Sequence, residues 1–308
     1  MLFIGNSYTA RGDLKQVTTD LLVAADARWS DDPWAALTSD GYALPDHVRE
    51  TTTNGSPWES ALVTAPEAWG IVILQDQSQI PGFPQDDPTW LASKAAADEL
   101  NTLVSTNGDD TWLFQTWGRR DGDADNPTLF PDYSTMQDRL TEGYAALSEA
   151  LSTPDRPVGV APVGEAFRIV FDDIIAAGLD PLADGSAFTQ LYASDGSHPS
   201  MNGTYLAACV ITASVSGEPC TGLPSTPSVP LDLVPILQDA ADRAVFGDPP
   251  EETGPGTGTT VPTSPGTTTA NDVASASTGC GCAQLDAGGS APLGALLVLF
   301  LRGSRARR

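Results

Sequence analysis

The stretch from Leu2 to Tyr8, "LFIGNSY", decides how this chain is built. Three large apolar residues run directly into Gly5-Asn6-Ser7, which is the pattern of a buried strand that ends at a small polar turn. Ser7 has two interpretations at this place. It is either a turn residue or helix N-cap, or a nucleophile held at the end of a strand. The choice depends on what else the chain brings to that strand end.

Strand patterns and helix patterns alternate along the chain. Apolar runs predict strands at Leu2–Gly5, around His47–Thr53, and at Gly70–Gln75, Thr111–Trp117 and Pro157–Val163. Helical patterns cover Leu14–Ala27, Pro88–Val104, Tyr133–Leu151, Glu165–Ala177, Asn202–Ser214 and Leu231–Phe246. Apolar strands separated by helices predict an α/β fold, with a mainly parallel central sheet covered by helices on both faces. In proteins with such sheets, the functional residues lie at the carboxyl ends of the strands.

Composition divides the chain into three parts. Residues 1–248 have the makeup of a folded domain, and residues 249–279 form a linker of Thr, Pro, Gly and Ser. Residues 280–308 form a tail with Cys280 and Cys282, an uncharged run from Ala287 to Leu301 and a final arginine cluster. The tail resembles the C-terminal sorting signals of myxobacterial surface proteins. That resemblance implies export to the cell envelope, surface or medium, a sorting and processing machinery as partner, and a signal peptide missing upstream of Met1.

Charge and cysteine usage narrow the class of partner. The formal net charge is −25, and an acidic surface repels phosphate backbones, so nucleic acid is not expected as a partner. None of the four cysteines has a zinc-type spacing to a histidine, and we expect no metal or other cofactor. Cys209 and Cys220 bracket a short segment. They either close a small disulfide loop in an oxidising compartment or remain two buried thiols.

Only two histidines are present, His47 and His198, so a histidine base has two candidates. His198 lies in "SDGSHPS", three residues after Asp195. On a tight turn this spacing lets the carboxylate reach the near ring nitrogen and leaves the far nitrogen to accept a proton. Asp46 directly precedes His47, a spacing that does not favour the same contact. The alternative interpretation is that Asp195 and His198 belong to an ordinary loop without a catalytic role.

"FIGNSYT" resembles the first sequence block of the SGNH (GDSL-type) hydrolases, and "SDGSHPS" resembles their last block. The two matches lie at the ends of residues 1–248. The resemblance implies the three-layer α/β/α fold of that family, which is similar to flavodoxin. It also implies that Ser7 is the nucleophile, His198 the base and Asp195 the residue that orients it, in ester hydrolysis through an acyl-enzyme.

The same family stabilises the oxyanion with the N–H of the nucleophile's own block, a glycine N–H and an asparagine amide. The resemblance therefore implies donors at Ser7 and at Gly55, which follows the strand predicted around His47–Thr53. The asparagine block is absent. At that strand end the chain reads "VILQDQSQIP", so Gln77, or failing that Gln75, would replace the asparagine with an amide one methylene longer.

The favoured substrate is an acyl or acetyl ester on a carbohydrate, because polar, tryptophan-bearing loops such as "NGSPWES" and "TWGRRDGD" suit sugars. A lipase or thioesterase is an alternative within the same fold. A non-catalytic glycan-binding surface module is the alternative from another class. The acidic run at Asp121, Asp123 and Asp125 begins like a calcium loop, but Asn126 stands where that loop needs glycine. We interpret this run as a solvated loop.

Overall fold

A sheet of five parallel strands lies at the centre of the computed structural model, which describes residues 1–248. The strands are β1 (Leu2–Gly5), β2 (Ala35–Thr38), β3 (Ile71–Leu74), β4 (Asp110–Phe114) and β5 (Gly159–Ala161). Their order in the sheet is β2-β1-β3-β4-β5. The order therefore changes direction between β1 and β3, and the crevice at the carboxyl ends of these two strands is where such sheets bind ligands.

Helices cover both faces of the sheet, because successive strand residues point to opposite sides. Phe3 belongs to one apolar core with helices α2 (Leu14–Ala25), α7 (Val163–Ala176), α8 (Met201–Ser216) and α9 (Val234–Phe246). Leu2 and Ile4 belong to the other core with α3 (Leu44–Thr51), α5 (Pro88–Thr106) and α6 (Tyr133–Leu151). The short helices α1 (Ser7–Ala10) and α4 (Pro57–Glu59) complete the set. The predicted three-layer α/β/α fold is confirmed.

The prediction of a strand around His47–Thr53 is wrong, because this segment lies in and just after helix α3. Pro45 stands in the first turn of that helix, where its missing N–H costs nothing. Asp46 Oδ2 accepts the N–H of Ala43 at 3.0 Å and so caps the start. The buried positions of α3 recur at helical spacing, at Leu44, His47 and Thr51. The run of threonines at its end resembles a strand but follows the helix.

The second strand is β2, which the sequence patterns do not reveal. Its residues are Ala-Ala-Leu-Thr at the edge of the sheet, and none of the four is fully buried. Alanine has little strand preference, and an edge strand needs no continuous apolar run. The turn that follows β2 therefore begins at Ser39, upstream of the segment where a strand end was expected.

Helix α8 is the most buried helix of the described region, with each residue from Asn202 to Ala213 buried. It carries no charged residue. Cys209 in this helix is joined by a disulfide to Cys220, with the two Cα atoms 5.4 Å apart. Both cysteine side chains are buried.

The linker at 249–279 and the tail at 280–308 lie outside the described residues, as do the cysteines and arginines on which the expected sorting and export depend. Within residues 1–248, no helix combines the length and the apolar character that crossing a membrane requires.

Candidate active site

The turn after β1 is held in place by contacts with the end of β3. Asn6 Oδ1 accepts the N–H of Tyr8 at 3.0 Å and caps helix α1. The backbone N–H of Asn6 donates to Gln75 Oε1 at 2.9 Å. A side chain at Gly5 would place its Cβ 2.6 Å from the same Gln75 oxygen. Only glycine permits this close approach, and Ser7 therefore sits on a turn with little freedom.

Ser7, His198 and Asp195 form one chain of hydrogen bonds. Ser7 Oγ lies 2.8 Å from His198 Nε2, and His198 Nδ1 lies 2.6 Å from Asp195 Oδ2. With a neutral ring, Nδ1–H donates to the carboxylate and Nε2 accepts the Ser7 hydroxyl proton. This geometry lets the imidazole take a proton from Ser7 while Asp195 orients the ring.

Asp195 is ionised at neutral pH. Burial raises the pKa of its carboxyl, but hydrogen bonds from the N–H of Ser197, from the His198 ring and from the N–H of His198 outweigh that effect and lower the pKa to about 2. Both backbone N–H groups donate to Oδ1 at 2.9 Å. The charge that holds the His198 ring is thus present throughout the neutral and mildly acidic range.

The histidine turn, residues 195–198, is held by the neighbouring chain segments. Tyr8 Oη lies 2.6 Å from Ser197 Oγ, and Trp117 Nε1–H donates to the Ser197 carbonyl at 3.1 Å. The rings of Tyr8 and Trp117 stack with centroids 4.7 Å apart, and the backbone N–H of Arg120 donates to the Gly196 carbonyl at 2.8 Å. Tyr8 was not among the predicted site residues. Its signal is an aromatic residue with a hydroxyl directly after Ser7.

A cavity of about 250 Å³, here called the Ser7 cavity, opens in front of the nucleophile. It is lined by Asn6, Ser7, Tyr8, Arg11, Asp40, Gly41, Gln77, Ser78, Arg119, Ser197 and His198. These residues come from the loops after β1, β2, β3 and β4 and from the histidine turn. The cavity therefore occupies the carboxyl-end crevice at the change of strand order.

Gly55 is not brought to this cavity. It follows α3 instead of a strand, and its N–H donates to Glu59 Oε2 at 2.7 Å. The glycine that lines the cavity is Gly41, in the turn after β2, with φ of 73°. Its N–H has no acceptor among residues 1–248. The Asp40-Gly41 pair is a turn signal that would have identified this position if β2 had been recognised.

The two glutamines have different positions. Gln75 is fully buried, its Oε1 accepts from Asn6 and from Thr9 Oγ1, and its amide donates to the Asp76 carbonyl. Gln77 lines the Ser7 cavity, and its Oε1 accepts the N–H of Gln79 at 3.0 Å. In the described region its amide N–H₂ has no acceptor. Of the two, only Gln77 has a donor free to reach an oxyanion in the cavity.

Asp76, between these glutamines, is a buried carboxyl that organises the loop. Its Oδ1 accepts the N–H groups of Gln77 at 2.7 Å and of Leu44 at 3.1 Å, and its Oδ2 accepts the hydroxyl of Ser93. Burial raises the pKa of this carboxyl to about 6, against the effect of these hydrogen bonds. The Gln77 backbone is thus anchored to α3 and α5 through one side chain.

His47 is buried and does not line the Ser7 cavity. Its Nδ1 accepts the indole N–H of Trp58 at 3.0 Å, and the Tyr42 ring packs edge-on with centroids 5.3 Å apart. Burial lowers the pKa of His47 to about 4, so the ring is neutral at physiological pH. Its Nε2 is buried without a hydrogen-bond partner in the part of the chain described here.

The acidic run after β4 folds as a self-bonded turn. Asp123 Oδ1 accepts the N–H of Asp125 at 3.0 Å, Asp123 Oδ2 accepts the Asn126 amide at 2.9 Å, and Arg119 pairs with the same carboxylate. No group of three side chains suited to holding a metal occurs among residues 1–248.

Comparisons with known proteins agree with the fold. No family model matches the sequence, and no curated protein matches it significantly. A solved structure from Slackia heliotrinireducens, provisionally assigned to the SGNH hydrolases, is 26% identical with a TM-score of 0.51 and covers 70% of this chain and 97% of its own. A DUF4886 family protein from Bacteroides uniformis is 18% identical with a TM-score of 0.60 and covers 79% of this chain and 93% of its own. An acetylxylan esterase from Geobacillus stearothermophilus is 15% identical with a TM-score of 0.46 and covers 70% of this chain and 94% of its own. The likeness to the Slackia heliotrinireducens structure thus agrees with an SGNH hydrolase fold.

Proposed function

We propose that the protein is a serine esterase that works through an acyl-enzyme on Ser7. The observation that carries this proposal is the unbroken chain of hydrogen bonds from Ser7 through His198 to Asp195, at the mouth of a cavity. The likeness to an SGNH hydrolase at 26% identity supports the same class of reaction.

In the first half of the proposed reaction, Ser7 Oγ attacks the ester carbonyl carbon while His198 Nε2 takes the hydroxyl proton. The C=O π electrons move to the oxygen, which accepts hydrogen bonds from the N–H groups of Ser7 and Gly41 and from the Gln77 amide. The C–O bond to the alcohol then breaks, and His198 returns the proton to the departing oxygen. A water molecule, activated by the same imidazole, releases the acid and restores Ser7.

The substrate class that we favour is a short acyl ester, such as an acetyl ester, on a carbohydrate. The Ser7 cavity, at about 250 Å³, lies below the ~300–1,000 Å³ typical of drug-sized ligand sites. Its lining is mostly polar or charged, and a long lipid chain would bury those groups without hydrogen bonds. A lipase or thioesterase on the same fold is therefore less favoured.

The alternative function is that of a non-catalytic glycan-binding module. Turnover of p-nitrophenyl acetate by the purified full chain separates the two, because a binding module releases no nitrophenolate. Ser7→Ala serves as the matched control, since it removes only the hydroxyl. A further readout is labelling by a fluorophosphonate, with the adduct mapped to Ser7 by mass spectrometry. No turnover together with no adduct would refute the esterase.

We also propose that the protein is exported and that its C-terminal tail directs processing at the cell envelope. The Cys209–Cys220 disulfide supports an oxidising compartment. Fractionation of cells that express the protein from its own gene tests this proposal, and an intact tail on a cytoplasmic protein would refute it.

A further inference from the structure

A second cavity of about 510 Å³ adjoins the Ser7 cavity and falls within the size range of small-molecule sites. The two share Arg119, Ser197 and His198, but Ser7 does not line the second one. Its other lining residues are Asp121, Gly122, Asp123, Ala124, Pro127, Phe130, Pro131, Asp195 and Gly196. It thus lies between the histidine turn and the acidic loop after β4.

The position beside His198 indicates which half of an ester this cavity would hold. The imidazole that takes the Ser7 proton must return it to the departing alcohol oxygen, so that oxygen has to lie next to His198 Nε2. The rest of the alcohol extends away from Ser7. The cavity that contains His198 without Ser7 matches this requirement.

We propose that the second cavity is the alcohol subsite and that it binds a polyhydroxylated alcohol, a sugar, in preference to an alkyl or a cationic alcohol. This inference rests on the proposed esterase function and adds a location and a chemistry for the leaving group.

The charges of the cavity argue against a cationic alcohol. Three carboxylates line it, and each already has a partner: Asp121 pairs with Arg120 at 2.6 Å, Asp123 pairs with Arg119, and Asp195 binds His198 at 2.6 Å. A cation would have to compete with these partners. Asp121 is largely exposed and keeps acceptor positions for the hydrogen bond of a hydroxyl group, whereas the Asp123 carboxylate is fully buried and already accepts three hydrogen bonds.

The donor side argues for hydroxyl groups over an alkyl chain. Arg119 lines the cavity with a partly exposed side chain; its Nη1 donates to Asp123 and its Nη2 to Gln79, and the second N–H of each group is available to a sugar oxygen. An alkyl chain would instead cover carboxylates and a guanidinium without forming hydrogen bonds, which is costly. Pro127 and Pro131 are exposed on the same lining and offer apolar surface to the C–H face of a sugar ring.

The test uses three acetates that differ only in the alcohol: methyl acetate, methyl 6-O-acetyl-α-D-glucopyranoside and cyclohexylmethyl acetate. For the full chain we expect kcat/KM on the sugar acetate to exceed that on the cyclohexylmethyl ester by about tenfold or more. An equal or reversed preference would overturn the inference.

The matched variants are Ala124→Trp, which fills the second cavity from an exposed lining position, and Thr128→Trp, which adds the same ring at an exposed position of the same loop outside the lining. We expect Ala124→Trp to lower the ratio of kcat/KM on the sugar acetate to that on methyl acetate by about tenfold, and Thr128→Trp to leave it unchanged. An unchanged ratio in Ala124→Trp, or an equal fall in both variants, would overturn the inference alone. Failure of the unaltered protein to hydrolyse any acetate, including p-nitrophenyl acetate, would instead refute the proposed function and the inference with it.

Discussion

Gln75 Oε1 accepts the backbone N–H of Asn6 at 2.9 Å, so the end of β3 holds the turn that carries Ser7. This contact makes Gln75 a positioning residue for the candidate nucleophile, while Gln77 keeps its amide free at the cavity. The two neighbouring glutamines should therefore respond differently to the same substitution.

Gln75→Leu should lower both stability and activity. The substitution leaves the N–H of Asn6 buried without an acceptor, which costs about 1–3 kcal/mol. We expect that loss in the free energy of unfolding, measured by urea denaturation, together with a lower kcat. Gln85→Leu, at an exposed position, is the control. Unchanged stability with a large fall in kcat would instead assign Gln75 as an oxyanion donor.

Gln77→Leu should affect kcat with little change in stability. Loss of one preorganised oxyanion donor lowers turnover by about 10²–10³-fold, whereas the free energy of unfolding should stay within ~0.5 kcal/mol. Steady-state kinetics on p-nitrophenyl acetate and urea denaturation measure the two effects. An unchanged kcat would show that the backbone N–H groups of Ser7 and Gly41 stabilise the oxyanion without Gln77.

The three hydrogen-bonded residues should lose activity unequally. Ser7→Ala and His198→Ala should each lower kcat by about 10⁵–10⁶-fold, and Asp195→Ala by roughly 10- to 100-fold less, because the carboxylate acts through the other two. His47→Gln should retain most of the activity measured on p-nitrophenyl acetate. An essential His47 with a dispensable His198 would contradict the assignment of the base.

Tyr8→Phe should lower kcat by about three- to tenfold with KM unchanged. It removes the hydrogen bond to Ser197 Oγ but keeps the stacking on Trp117, so the histidine turn loses orientation without losing packing. Tyr42→Phe is the matched control, since its hydroxyl bonds to Glu50 away from the Ser7 cavity. Equal effects of the two changes would argue against a positioning role for Tyr8.

Stability should depend on pH through His47 and Asp76 with opposite signs. The folded pKa of His47 is lowered from 6.5 to about 4 by burial, so its contribution is lost as pH falls through that interval. The folded pKa of Asp76 is raised from 3.8 to about 6 by burial, so its contribution is lost as pH rises through that interval. Each amounts to about 3 kcal/mol, and the two nearly cancel between pH 4 and 6.

The substitutions His47→Gln and Asp76→Asn separate these contributions. Without His47, stability should fall as pH rises from 4 to 6, and without Asp76 it should rise over the same interval. Urea midpoints at several pH values measure the slopes, with Asp86→Asn at an exposed position as control. Parallel curves for all the variants would show that neither buried group titrates as described.

The sequence predicted the parts of the site that depend on contiguous residues. Ser7 at the end of β1 and the Asp195–His198 spacing are local patterns, and the structure brings these residues together. Gly41 was missed because β2 is a short, alanine-rich edge strand, and Gly55 was chosen because threonines after α3 resemble a strand. The role of Gln75 could not be read from sequence, since it depends on a contact across two strands.

The disulfide and the burial of α8 also bear on when the site loses the alignment of His198 with Ser7. The histidine turn leads through Pro199 into α8, whose side chains are embedded in the core and whose Cys209 is cross-linked. Local opening begins in segments with few buried contacts, and a helix like α8 separates only when the whole domain unfolds. His198 is thus attached to a helix that we expect to open late. We therefore expect its alignment with Ser7 to persist until the domain unfolds as a whole.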